Sequence, residues 1–418
     1  MAVQLIRISL VLSAFLWLTA CGSFPSDSAS YKKEQREVER AIAGGQLKMI
    51  TVFDKRRDLD ASGEGFANFR IPALSVSQQG TLLAFVEGRR VRSDHNKGPL
   101  VLRRSEDGGK SWGPLQLIVQ HGQDSLNNPT PVVLPSGRIL VVYQRFPEDF
   151  HSRALPHERV AMVRPGLDGD GVQTNHLIYS DDDGVTWSEP LDITAQSKRP
   201  APVMANFSGP GPGLRLQEGP NAGRILLPSC DFTGEGKGRE FRSYATYSDD
   251  DGITWLMGQQ AENPASISAD ETQLVELKGG KLLMTVRARG QRMLAYSNDG
   301  GETFTPLKIQ MDLPDSGAMG SAARLQDSAL GDVLLHSLST TRINGRRSRG
   351  AVYMSTDEGY NWQGHRVYHP GSFDYSSIAL LPDGDIGILG EFDWGVEGKF
   401  NEVRFVRVDP QWLLEPLR

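Results

Sequence analysis

An apolar stretch, a short polar turn and a second apolar stretch recur six times along the chain. They read ALSVSQQGTLLAFV (73–86), PVVLPSGRILVVY (131–143), GLRLQEGPNAGRILL (213–227), QLVELKGGKLLMTV (273–286), ARLQDSALGDVLLHSL (323–338) and IALLPDGDIGILG (378–390). Alternation and β-branched residues predict strands on both sides, and Gly, Asn, Asp and Ser in the turns supply the backbone conformations of hairpins. Each of the first five hairpins is followed by a strand such as NHLIYS, and another then leaves, such as PLDI. Each unit therefore has four strands. The sixth takes its third strand from EVRFVRV (402–408), and MITVF (49–53) closes the ring by joining the last unit. The expectation is an all-β, six-bladed β-propeller over residues 49–418.

A second repeat punctuates the first. SEDGGKSW (105–112), SDDDGVTW (180–187), SDDDGITW (248–255), SNDGGETF (297–304) and STDEGYNW (355–362) share one pattern, Ser-x-Asp/Asn-x-Gly-x-x-aromatic. Ser and Asp hold a tight turn by bonding local amides, Gly takes a positive φ, and the aromatic ring tucks between neighbouring sheets. The Asp spacing is not that of a calcium loop, so the boxes read as structural.

Composition narrows the class. With 418 residues, 39% hydrophobic and 23% charged, the chain is an ordinary globular one. A net charge of -6 and the lack of a long basic run argue against a nucleic-acid partner. At the N-terminus Arg7 precedes the apolar run ISLVLSAFLWLTA and then Cys21, a signal-peptide pattern too short to span a membrane comfortably. LTAC (18–21) resembles the bacterial lipobox. That resemblance implies cleavage after residue 20, lipidation of Cys21 and a place in the cell envelope as an outer-membrane lipoprotein or in the periplasm. Residues 21–48 are then a lipid-anchored tether with a helical turn or two. Lipidation of Cys21 leaves Cys230 without a disulfide partner.

Topology decides where chemistry can gather. Residues just before a unit's first strand, just after its second, or just before its third all lie on the end of the ring opposite the boxes. Arg70, Glu87, Arg89, Asp94, Glu271, Arg287, Arg347, Tyr375 and Glu391 occupy such positions. Converging arginines repel unless an anion is held among them, and their paired planar donors suit a carboxylate. The pattern predicts a pocket for an organic acid. His95, His121, His151 and His157 show no metal-ligand spacing, and no cofactor is expected.

FRIP (69–72) together with the five boxes resembles the bacterial sialidases (exo-α-sialidases, neuraminidases), retaining glycoside hydrolases, over about residues 49–418. The resemblance implies that Arg70, Arg287 in LLMTVRARG and Arg347 in RSRGAVYMS form the triad that grips the substrate carboxylate. Arg342, Arg346 and Arg349 lie close enough to compete for the last position. Asp94 in RVRSDHN matches the acid/base, and Tyr375 in FDYSSIALLPDG matches the nucleophile. Glu271 in DETQLVEL matches the glutamate paired with that tyrosine, with Glu276 as a decoy inside the strand. Glu391 in GILGEF matches the residue that orients the first arginine, while Arg89 and Asn128 resemble secondary substrate contacts. Sialidases are the tyrosine exception among glycosidases. The partners so implied are sialylated glycoproteins, glycolipids or oligosaccharides, met by a monomer. A non-catalytic glycan-binding propeller, a transglycosylase, or an enzyme for a related nonulosonic acid would share most of these features. The long stretch 145–173 falls on the pocket side and is expected to rim it.

Overall fold

The computed structural model of the chain describes residues 29–264, 267, 269–328, 330–394 and 400–415. The signal segment and Cys21 lie outside the described residues. Four antiparallel sheets follow one another along the chain. The first is built from Asn68–Val76, Leu82–Arg89, Leu100–Ser105 and Gln116–Val119, and the second from Ser125–Val133, Ile139–Phe146, Thr174–Ser180 and Leu191–Asp192. The third uses Val203–Ser208, Ile225–Thr233, Glu240–Ser248 and Leu256–Met257, and the fourth Thr272–Glu276, Leu282–Val286, Gly290–Ser297 and Lys308–Asp315. A seven-stranded sheet completes the set with Ser321–Ser328, Gly331–Ile343, Arg346–Ser355, Gln363–Leu380, Ile386–Trp394, Phe400–Val408 and, last, Leu47–Asp54.

The sheets form a propeller-like ring. First strands of successive sheets lie side by side, except that Thr272–Glu276 lies against Ile225–Thr233, and Asn68–Val76 packs against Gln363–Leu380 to join the two ends. Leu47–Asp54 pairs antiparallel with Phe400–Val408, so the start of the β region locks onto its end, as the MITVF segment predicts. Within the seven-stranded sheet, Gln363–Leu380 pairs with Arg346–Ser355 through Ser372 and with Ile386–Trp394 from Phe373 onward.

Two details depart from expectation. The hairpin at 213–227 closes over only Leu214–Arg215, because the strand beside Ile225–Thr233 is mostly Val203–Ser208. Gly and Pro at 209–213 interrupt it, since proline has no N–H for the ladder. The second departure is the tether. Residues Ala29–Ala43 form a helix of 15 residues, α1, which buries Val38 and Ala41 against Leu47, Leu335, Tyr368 and Val408. An apolar stripe on an otherwise charged helix gives it a reason to dock, where composition alone had suggested a free linker.

The boxes are turn locks, and all five share one bonding scheme. In the second, Ser180 Oγ donates to Asp182 Oδ1 at 2.8 Å, Gly184 N–H donates to Ser180 Oγ at 2.8 Å, and Thr186 donates through both N–H (2.8 Å) and Oγ1 (2.6 Å) to Asp182. The box aromatic then wedges against the preceding sheet. Trp187 meets Phe85 edge-on at 5.9 Å, and Trp112 of the first box meets Phe405 of the last sheet at 5.4 Å. The glycine has a second reason to be there: a Cβ on Gly109 (φ +86) would sit 2.3 Å from the Phe405 ring. Repeated around the ring, the wedge fills each inter-sheet seam.

The wedge predicts a measurable cost. Trp255, buried among Leu140, Ile225 and Leu227, should lose about 3–5 kcal/mol of stability on Trp255→Ala, a large aromatic-to-Ala cavity. Denaturant unfolding measures it. A loss under about 1 kcal/mol would show that the seam does not rest on the ring.

Candidate active site

The strands that reach the box-free end are irregular where they deliver chemistry. Pairing of the first strand slips between Arg70 and Ala73, that of the second sheet between Asn127 and Thr130, and that of the last between Phe373 and Ser376. Each slip re-aims a side chain that regular alternation would hide in the sheet. Ile71 takes φ +61 and Asn128 φ +54. For a β-branched isoleucine that is a costly conformation. It is held from outside: the Ile71 N–H donates to Glu391 Oε1 at 2.7 Å, while Arg70 Nη2 donates to Glu391 Oε2 at 2.9 Å. One buried carboxylate thus fixes both the bulge and the arginine it presents.

One pocket gathers the predicted residues except Glu391, which stands behind Arg70, and Glu87, which stands behind Arg89. Arg70, Arg89, Asp94, Asn128, Glu271, Arg287, Arg347 and Tyr375 line it. Among the competing arginines it is Arg347 that faces the pocket; Arg349 turns away to Glu34. The decoy Glu276 is elsewhere, accepting the N–H groups of Gln217 and Glu218.

The arginines do not wait for a ligand to relieve their repulsion. Arg287 Nε donates to Asp270 Oδ1 at 2.8 Å and its Nη1 to Glu271 Oε2 at 2.6 Å. Arg347 Nη1 donates to Asp374 Oδ1, and Asp374 Oδ2 is 3.6 Å from Arg70 Nη2. Burial works against the charge of Arg70 and Arg287, but the surrounding carboxylates outweigh it and raise both pKa values. Asp270 and Asp374 are the residues that the sequence reading missed. Each directly precedes a predicted one, Glu271 and Tyr375, at a strand start, and that adjacency was the available signal.

Tyr375 and Glu271 form the centre. The buried phenol donates to Glu271 Oε1, and Arg287 Nη1 donates to the phenol oxygen at 2.7 Å. The guanidinium carbons of Arg70 and Arg347 lie 5.0 and 5.4 Å from the centre of the ring. Burial pushes the Glu271 carboxyl up to about 7, with Arg287 opposing and Asp270 adding to the rise. Burial also carries the phenol well above its usual range. A carboxylate near neutrality, bonded to a phenol and flanked by cations, can take the phenolic proton as the oxygen attacks.

Asp94 lines the same pocket. Its side chain is 59% exposed, and one oxygen accepts from Arg89 Nη1 at 3.0 Å. Desolvation favours its protonated form, but Arg89 and then Arg70 hold it well below the usual carboxylate range. Arg89 is itself fixed by Glu87, which also accepts from Asn127 Nδ2 (3.1 Å) and the Asn128 N–H (3.0 Å). The 145–173 stretch does rim the pocket, through His151, Ser152 and Arg153, and the third sheet adds Phe207, Arg239 and Phe241.

Comparison with known proteins gives the chain a family and relatives. Residues 80–388 match the BNR repeat-like domain family. The chain is 35% identical over 371 residues to a sialidase of Micromonospora viridifaciens, covering 85% of this chain and 54% of that protein. It is 29% identical over 352 residues to a sialidase of Bacteroides fragilis, covering 79% and 61%. It thus spans between half and two thirds of the length of these relatives. Among solved structures, an intramolecular trans-sialidase from Ruminococcus gnavus is similar with a TM-score of 0.71 at 19% identity, covering 88% of this chain and 98% of that one. That likeness speaks for the fold.

The raised Glu271 carboxyl has a thermodynamic consequence. A group whose folded pKa exceeds its unfolded value gives stability that is complete below the unfolded pKa and is lost as pH rises through the folded one. Relative to Glu271→Gln, the wild type should therefore lose stability between about pH 4.5 and pH 7 and level off above. Thermal unfolding of both proteins across that window tests it. A pH-independent difference would mean that Glu271 is not held up by burial.

Proposed function

The chain belongs to the BNR repeat-like domain family together with the bacterial sialidases, and on that premise we propose that it is an exo-sialidase that hydrolyses terminal α-linked sialic acid from glycoconjugates with retention. The observation that carries the reading is the hydrogen-bonded group Tyr375–Glu271–Arg287 in one pocket with Asp94. A protein that only bound an acidic sugar would have use for the arginines but not for a phenol paired with a base and faced by a second carboxyl. The propeller is read as six-bladed, with the seven-stranded sheet counted as two blades that share Gln363–Leu380.

In this reading Arg70, Arg287 and Arg347 grip the carboxylate on the anomeric carbon. A carboxylate nucleophile would meet that charge head-on; a phenol is neutral until it attacks. Glu271 takes the phenolic proton, and the three guanidiniums stabilise the oxygen as negative charge develops on it. Asp94 must be protonated to release the leaving oxygen. The substrate itself supplies the change: its carboxylate neutralises Arg70, and the bound sugar expels water from beside Asp94, so both shifts favour the acid. In the second half the same carboxylate activates water to break the tyrosyl–sugar bond, and the two inversions give net retention. Arg89 and Asn128 contact ring substituents, and Glu391 holds Arg70 in register. A monomer is the proposed working form. Cys21 is the proposed lipid attachment site, placing the enzyme in the cell envelope.

Two measurements test the proposal. Tyr375→Phe should lower turnover of a fluorogenic sialoside by at least about a hundredfold while leaving the unfolding curve intact; full activity would remove the nucleophile. Proton NMR of the first turnovers should show the α-anomer of free sialic acid. A first-formed β-anomer would rule out retention, and an anhydro or transferred product would rule out simple hydrolysis.

A further inference from the structure

The proposed lipid anchor at Cys21 joins the folded body through α1, and the position of α1 says which way the pocket faces. The lower end of the helix is fixed at the box side of the ring. Gln46 accepts from the Asp409 N–H at 2.9 Å, and the next residue, Leu47, pairs with Val408, which also faces Ile386 just after the hairpin turn at 381–385. The upper end is fixed at the pocket side. Glu34 Oε1 lies 2.9 Å from Arg349 Nη2, and Arg349 stands two residues beyond Arg347, which lines the pocket.

The latch is deliberate in its backbone. Pairing slips between Ser348 and Gly350, and Arg349 takes φ +65. A regular strand would turn residues 347 and 349 to the same side. The bulge keeps Arg347 in the pocket and sends Arg349 outward to the helix. The helix rises about 14 Å from Ala43 back to Glu34 and about 22 Å over its 15 residues, so its first turn lies beyond the latch. It therefore runs antiparallel to Leu47–Asp54, and Ala29 emerges on the pocket side.

We infer that the catalytic mouth faces the membrane that carries the anchor. The inference rests on the lipidation proposed above. Residues 22–28 can span at most about 25 Å when fully extended, less than the width of a typical globular glycoprotein. The mouth then meets sugars displayed on lipids of its own membrane, or short free oligosaccharides, and is shielded from bulky sialoglycoproteins. The substrate class singled out is a sialylated glycolipid embedded beside the enzyme.

Anchoring from either end separates orientation from lipidation and from catalysis. The mature chain with Cys21→Ser carries a histidine tag either at its N-terminus or after Arg418, the latter following the C-terminal helix Pro410–Leu414, which continues from Val408 on the box side. Both are bound to phosphatidylcholine vesicles containing a nickel-chelating lipid and a headgroup nitroxide lipid. A fluorophore is placed on Ala154→Cys, exposed beside the pocket, or on Ile253→Cys, 74% exposed on a box turn. Cys230 is buried and stays unlabelled. With the N-terminal anchor, quenching should be at least twofold stronger at 154 than at 253; with the C-terminal anchor the order should reverse. Equal quenching at both sites, or the same order for both anchors, overturns the orientation. In vesicles that also hold a sialylated glycolipid, the N-anchored form should release sialic acid at least tenfold faster than the C-anchored form, at equal rates on soluble sialyllactose. Equal rates on the glycolipid overturn the substrate assignment. Absence of turnover on sialyllactose counts against the sialidase reading and leaves the quenching result to decide orientation. Mass measurement of the natural membrane form decides lipidation separately.

Discussion

Several cations must be packed at one end of a ring, and that requirement governs the rest of the site. Guanidiniums at contact distance repel by several kcal/mol in a partly desolvated pocket. The protein answers with a carboxylate behind each: Glu391 for Arg70, Asp270 and Glu271 for Arg287, Asp374 for Arg347, Glu87 for Arg89. Each pair leaves part of the guanidinium edge facing the cavity. The arrangement is therefore neutral enough to fold and yet still offers donors to an acidic ligand. Removing one carboxylate would leave a half-buried cation with no counter-charge, which costs far more than the pair contributes in net terms.

The same requirement explains why the strands bend where they do. Regular alternation puts a residue either into the sheet packing or into the neighbouring seam, and neither place reaches the axis. A one-residue bulge turns Arg70, Asn128 and Tyr375 toward the mouth, and positive φ at Ile71 and Asn128 is the local strain that results. That strain has to be outweighed nearby. Glu391 holds the Ile71 amide, and Ile71 packs with Ala318, Met319 and Tyr375. The positions of Tyr375 and of Arg70 are thus coupled through one small apolar cluster.

Much of this was legible in the chain. The boxes and hairpins carry their own local chemistry, turn residues and period-two alternation, so the strands and their order could be read directly. Arg70, Asp94, Glu271, Arg287, Arg347, Tyr375 and Glu391 were legible because topology limits where loose polar residues can meet. What was not legible depends on contacts between distant segments. Asp270 and Asp374 look like ordinary loop acids until the arginines they face are known. The 209–213 break and the docking of α1 are decided by tertiary packing, which overrides local composition. Arg347 could not be separated from Arg346 and Arg349 by sequence, since only the bulge between Ser348 and Gly350 says which one turns inward.

The two ends of the ring divide the work between stability and chemistry. At the box end, neutral hydroxyls and ionised Asp side chains close each turn on itself, and aromatic wedges fill the seams. Those contacts are local, repeated five times and independent of any ligand. At the other end every important contact joins segments far apart in sequence, such as Arg70 with Glu391, Tyr375 with Glu271 and Asn128 with Glu87. Burial there pushes carboxyls such as Glu271 and Glu391 toward their neutral forms, against the arginines that favour their charge. Raised carboxyl pKa values such as these mean that ionising the pocket end costs stability, while the box turns close on their own local bonds. A ring of this kind can therefore alter residues around its mouth without risking its closure, as long as each arginine keeps an acid behind it.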